Sequence, residues 1–71
     1  MSYELTNDEK KIIVNQHLKN LEYSIYNTSL SIETETNCVA PNANIIAELN
    51  EDLSVLQQKK QALVAKLAEL E

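Results

Sequence analysis

His17 and Cys38 are the only histidine and the only cysteine in the 71 residues, so the residue types that most often hold metals or attack substrates occur once each. A metal centre needs several nitrogen, sulfur or oxygen ligands at fixed spacing, and these two stand far apart in the chain. Cys38 has no base near it in sequence to activate it as a nucleophile, and it reads as an ordinary loop thiol. Glu33 with Glu35, and Glu51 with Asp52, look like paired acid and base groups. Catalysis by such a pair needs a cleft that sets their proton affinities apart, and a chain this small and helical offers none, so they read as a solvated face. The sequence contains no glycine, which excludes the close backbone cradles that bind phosphates in nucleotide-dependent enzymes. The expectation is a chain that is not an enzyme and takes no cofactor and no metal. Asn27-Thr28-Ser29 matches the glycosylation acceptor pattern, but it falls inside a helical stretch and reads as chance.

Charge narrows the partners. Six lysines and no arginine stand against eleven acids, for a net charge of −5, which is the wrong sign for a protein that neutralises phosphates. No nucleic acid is expected as a partner. No apolar run resembles a signal peptide or a membrane span, and a lone cysteine closes no internal disulfide. The chain is therefore expected to be cytoplasmic, with no membrane partner.

Leucine, isoleucine, valine, alanine, glutamate, lysine, glutamine and asparagine dominate a chain with one proline, no tryptophan and no phenylalanine. That is the bias of long helices. Met1 to Leu5 is a lead-in. Thr6 to Glu9 then offers a capping box, with Thr6 as N-cap and Glu9 reaching back, so the first helix begins near residue 7. Val14, Leu18, Leu21, Ile25, Thr28 and Ile32 follow at alternating steps of four and three, the pattern of a core-facing seam. Residues 35–41 are short, β-branched and turn-prone, and Glu33 and Glu35 sit badly against the negative end of a helix. Pro41 suits a first helical position and Asn42 competes as N-cap. The second helix carries Ile46, Leu49, Leu53, Leu56, Leu63, Leu67 and Leu70 in the same alternation, interrupted once by Lys60. The fold class is all-α: one domain, 1–71, an antiparallel two-helix hairpin resembling a coiled coil, with helices at about 7–34 and 42–70 and a loop at about 35–41. Folding the chain about Cys38 sets Lys60 opposite His17 as a polar layer that fixes register.

The first helix has a second apolar face. At about 100° per residue, Ile12, Tyr23, Tyr26 and Leu30 fall together roughly opposite the seam. Below about 70–80 residues one core seldom supplies more than about 3–5 kcal/mol, and an exposed apolar stripe is a liability in a monomer. These four residues are therefore expected to be an interface. Between Asn20 and Gln58 lie Glu22, Glu33, Glu35, Glu48, Glu51 and Asp52 and no lysine, −6 in all, while five acids and six lysines leave the terminal half at +1. Two hairpins side by side then favour loops at opposite ends. The expected assembly is a homodimer of that kind, forming a four-helix bundle.

Tyr3 to Lys11, the single Pro41 ahead of the second helix, and the Leu-rich run from Ala65 to Leu70 resemble small uncharacterised helical-hairpin proteins of marine T4-like phages, the cyanophage type. The likeness spans most of the chain. It implies an origin, in a host cytoplasm or a virion, and supplies no activity and no site residues. Three functions fit the sequence: a structural or protein-interaction module that self-associates and docks on a larger complex; an acidic regulator or inhibitor whose loop half binds a basic host protein; and an adaptor that donates the Ile12, Tyr23, Tyr26 and Leu30 stripe to another protein's groove.

Overall fold

The computed structural model describes residues 3–71 and contains two helices, α1 (Asn7–Thr36) and α2 (Ala43–Glu69), packed antiparallel in a rod 62 × 18 × 15 Å. The chain is an all-α helical hairpin. Of the lead-in, Met1 and Ser2 lie outside the described residues.

The N-terminus of α1 is fixed by a reciprocal pair of bonds. The Glu9 amide donates to the Thr6 hydroxyl at 3.1 Å, and the Thr6 amide donates to the Glu9 carboxylate at 2.9 Å. Two donors with no partner inside the helix are satisfied together. The bond from the Thr6 backbone, and then that with the Thr6 side chain, hold the Glu9 carboxyl below the ordinary glutamate value. A carboxyl whose pKa is depressed by folding stabilises the fold above its unfolded value, about 4.3, and loses that contribution as pH falls through the lower folded value. Glu9→Gln keeps a bonding partner for Thr6 but loses the charge. Thermal melts should therefore show the variant less stable than the parent at pH 7, with the gap closing on acidification toward pH 3; a gap independent of pH would refute this role.

The spacing places the end of α1 near residue 34, and the structure carries it to Thr36. Side-chain hydroxyls in the last turns bond within the helix: Ser31 donates to the Asn27 carbonyl, Thr34 to the Ser31 carbonyl and Thr36 to the Ile32 carbonyl at 2.7 Å, so these polar residues satisfy their donors without ending the helix. No basic residue stands in this last turn. The Asn37 amide closes the end by donating to the Glu33 carbonyl at 3.0 Å.

Glu35 has a use that its place on α1 conceals. Its carboxylate crosses the loop and accepts the Asn42 amide at 3.0 Å, which puts the negative charge beside the positive end of α2. Asn42 caps that helix, so Pro41 is not its first residue; the Asn42 side-chain oxygen accepts from the amides of Asn44 and Ile45 at 3.0 and 3.2 Å. Pro41 precedes the cap, where its fixed φ and missing donor suit the turn. At the far end Leu70 forms the C-cap and the Lys66 ammonium pairs with Glu69 at 3.3 Å.

The two helices share a thin core. Val14 and Leu70 are the buried apolar residues, 9% and 8% exposed, both at the end of the rod away from the loop. Leu18, Leu21, Ile25, Thr28 and Ile32 of α1, with Ile46, Leu49, Leu53, Leu56, Lys60, Leu63 and Leu67 of α2, are half-buried. Two antiparallel helices cover each other along one line and leave the flanks of that line open to water. Lys11 and Glu35 extend the half-buried row by one step at either end of α1.

Candidate interaction surface

On the face of α1 away from α2, Ile12, Tyr23, Tyr26 and Leu30 are 61%, 68%, 66% and 40% exposed. Spacing puts them there: they occupy the positions farthest from the seam, about 150° around the helix at 100° per residue. Tyr23, Tyr26 and Leu30 border a shallow open depression with Ser24 and Asn27. A second depression is bordered by Lys19, Glu22 and the same two tyrosines. The three C-terminal members thus form one continuous patch. Ile12 is separate from it, lying eleven residues, about 16 Å, from Tyr23 along the axis.

Lys19 joins this patch although its charge gives no hint of it. Its ammonium lies 5.5 Å from the centroid of the Tyr23 ring, within the range of a cation–π interaction. The i, i+4 spacing of Lys19 and Tyr23 is the signal that places them together.

The polar layer of the seam has different members from those the chain folded about Cys38 suggests. Lys60 forms an ion pair with Glu22, not with His17. The turn between Thr36 and Ala43 centres near residue 40, which moves the position opposite Lys60 along α1 from His17 toward Glu22. The two residues also lie on different flanks. His17 borders a groove with Leu21, Lys59, Ala62 and Leu63, whereas Lys60 borders one with Gln57, Gln61 and Val64.

Both members of the Lys60–Glu22 pair are about half exposed, and ion pairs in that setting contribute about 0–1 kcal/mol. Leucine at position 60 would restore an unbroken seam. Lys60→Leu should add about 1 kcal/mol from partial burial of a leucine side chain, raising Tm by about 4–8 °C in a chain this small. A lower Tm would show that the ion pair outweighs the burial.

The remaining chemistry-bearing residues are dispersed. Cys38 is exposed in the loop, its thiol donating to the Glu35 carbonyl at 3.0 Å, about 30 Å from His17 along α1. Among the described residues no three of His, Cys, Asp and Glu come together as a metal site, and no helix is long and apolar enough to cross a membrane. Glu33, Glu48, Glu51 and Asp52 are exposed on the loop half, and among the described residues no lysine lies within ion-pair distance of them. The surface offers shallow apolar contact on α1 and an acidic end, and the depressions on it are open. Comparison with protein-family models, with curated proteins and with solved structures finds no match for the chain, and its own surface is what carries a functional reading.

Proposed function

We propose that the chain is a non-enzymatic, self-associating structural module whose partner is a second copy of itself, joined through the outer face of α1 with loops at opposite ends. The observation that carries this reading is surface area. The chain exposes 5612 Å², whereas a folded monomer of 8.0 kDa exposes about 4,500 Å². The excess, about 1,100 Å², is spread along a rod 62 Å long and is enough to supply the roughly 800 Å² that each partner buries in an interface of standard size. Tyrosine suits such a contact, since its ring is buried while its hydroxyl stays hydrated.

The angle between the two apolar faces of α1 shapes the assembly. In a closed four-helix bundle each helix meets its two neighbours on faces about 90° apart, but here the stripe and the seam are about 150° apart. Two hairpins joined by the stripe therefore stand as an open layer in the order α2, α1, α1, α2. The acidic loop half of each hairpin lies beside the lysine-bearing terminal half of the other. Small-angle scattering tests this: a layer gives a particle wider in one cross-sectional direction than the other, and a cross-section of equal width in both directions would contradict it.

A second reading rests on the exposed acids of the loop half. Replacing Glu48, Glu51 and Asp52 by their amides would abolish binding to a basic protein while leaving self-association intact; unchanged binding would exclude the acidic regulator.

A further inference from the structure

Self-association leaves open which residues of one α1 meet which of the other, and the stripe itself restricts the choice. Ile12, Gln16, Lys19, Tyr23, Tyr26 and Leu30 follow one another at steps of four, three, four, three and four, a second heptad register on the back of α1. Resting on the dimer reading above, we propose that two α1 helices pair antiparallel about a two-fold axis at the level of Leu21. This sets Ile12 against the partner's Leu30, Gln16 against the partner's Tyr26, and Lys19 against the partner's Tyr23.

Chemistry selects this register over its neighbours; shifting the pairing one heptad toward the N-terminus sets Tyr26 against the partner's Glu9 and carries Leu30 beyond the partner's helix, which begins at Asn7. An antiparallel two-fold pair can shift only by whole heptads if the stripe is to stay in the contact. Moving the axis to the level between Tyr23 and Tyr26 sets Lys19 against the partner's Leu30 and carries Ile12 beyond the partner's helix, which ends at Thr36. An ammonium then faces an aliphatic side chain and an isoleucine stays in water, both unfavourable. In the proposed register both aliphatic residues meet each other and every tyrosine faces a polar side chain. The Lys19 ammonium, already 5.5 Å from its own Tyr23 ring, comes between two such rings. Glu33 falls beside the first turn of the partner's α1, where the helix dipole is positive but Asp8 and Glu9 are like charges; the Glu9 carboxylate is turned back onto the Thr6 amide.

Cys38 supplies the test without any substitution, being the only cysteine and exposed in the loop. A spin label on it reports the separation of the two loops by double electron–electron resonance. At 1.5 Å per residue, an axis at the level of Leu21 puts the two labels about 50 Å apart. The axis between Tyr23 and Tyr26 would put them about 40 Å apart, and loops at the same end about 20 Å or less, since packed helices are separated by about 10 Å. Sedimentation of the labelled protein is run alongside. A dimer with a distance near 50 Å supports the register; a dimer with either of the other distances overturns the register and leaves self-association standing; a monomer with no dipolar coupling overturns both.

Discussion

Replacing Leu53 and Leu56 together by alanine should unfold the chain at 25 °C. Both sit on the seam of α2 at consecutive heptad steps, both are half-buried, and no neighbouring layer exists to collapse into the space they leave. A leucine-to-alanine change in a full core costs about 2–5 kcal/mol, and half-burial reduces each of these to about 1–2.5. Together they remove about 2–5 kcal/mol, comparable with the whole stability that one core gives a chain of this size, about 3–5 kcal/mol. Most of the helical signal in far-ultraviolet circular dichroism should therefore disappear, because isolated helices depend on packing against a partner. The single variants should lose Tm but keep the signal. A double variant that melts within a few degrees of the parent would show that the seam is not what holds the helices together.

The second large effect is on assembly. Tyr23→Ala with Tyr26→Ala should convert the proposed dimer to a monomer while leaving the helices formed. Truncating an aromatic anchor costs about 1–2 kcal/mol or more at an interface, and two-fold symmetry presents each tyrosine twice. Four lost side chains weaken the pair by about 4–8 kcal/mol, a thousandfold or more in Kd. Neither ring packs in the hairpin seam, and both are about two-thirds exposed, so the isolated hairpin loses little. The melting temperature of the parent should rise with protein concentration, and that of the variant should not. Equal concentration dependence in both would remove the tyrosine face from the interface.

These two effects separate what a sequence states from what it conceals. The hairpin is legible because both helices repeat leucine, isoleucine and valine at steps of three and four, and because Thr6 with Glu9 and Asn42 mark the two helix starts. Ends and partners are less legible because they depend on where side chains reach. Thr34 and Thr36 read as helix breakers until their hydroxyls are seen on carbonyls of the preceding turn. Glu35 reads as an unfavourable charge at the end of α1 until its carboxylate is seen on the Asn42 amide, because only the folded loop brings α2 within reach. Lys60 was assignable to a polar layer from the interrupted heptad alone. Its partner Glu22 was not, since a small error in the centre of the turn moves the facing position by most of a helical turn along α1.

On the back of α1 the spacing of Ile12, Tyr23, Tyr26 and Leu30 identifies the stripe, but two of its consequences need geometry. Ile12 is separated from the aromatic patch by Gln16 and Lys19, and Lys19 lies over the Tyr23 ring. The stripe also lies about 150° from the seam, the angle on which the proposed open layer rests. Both follow from side chains placed on a helix whose packing partner is known.

Sedimentation equilibrium of the unmodified chain, over concentrations from about 1 µM to several hundred, bears on self-association before any variant is made. The expected result is a reversible rise in mass from 8.0 kDa toward twice that value, as mass action requires of a dimer in equilibrium with its monomer. A constant mass of 8.0 kDa with full helical signal throughout that range would contradict it.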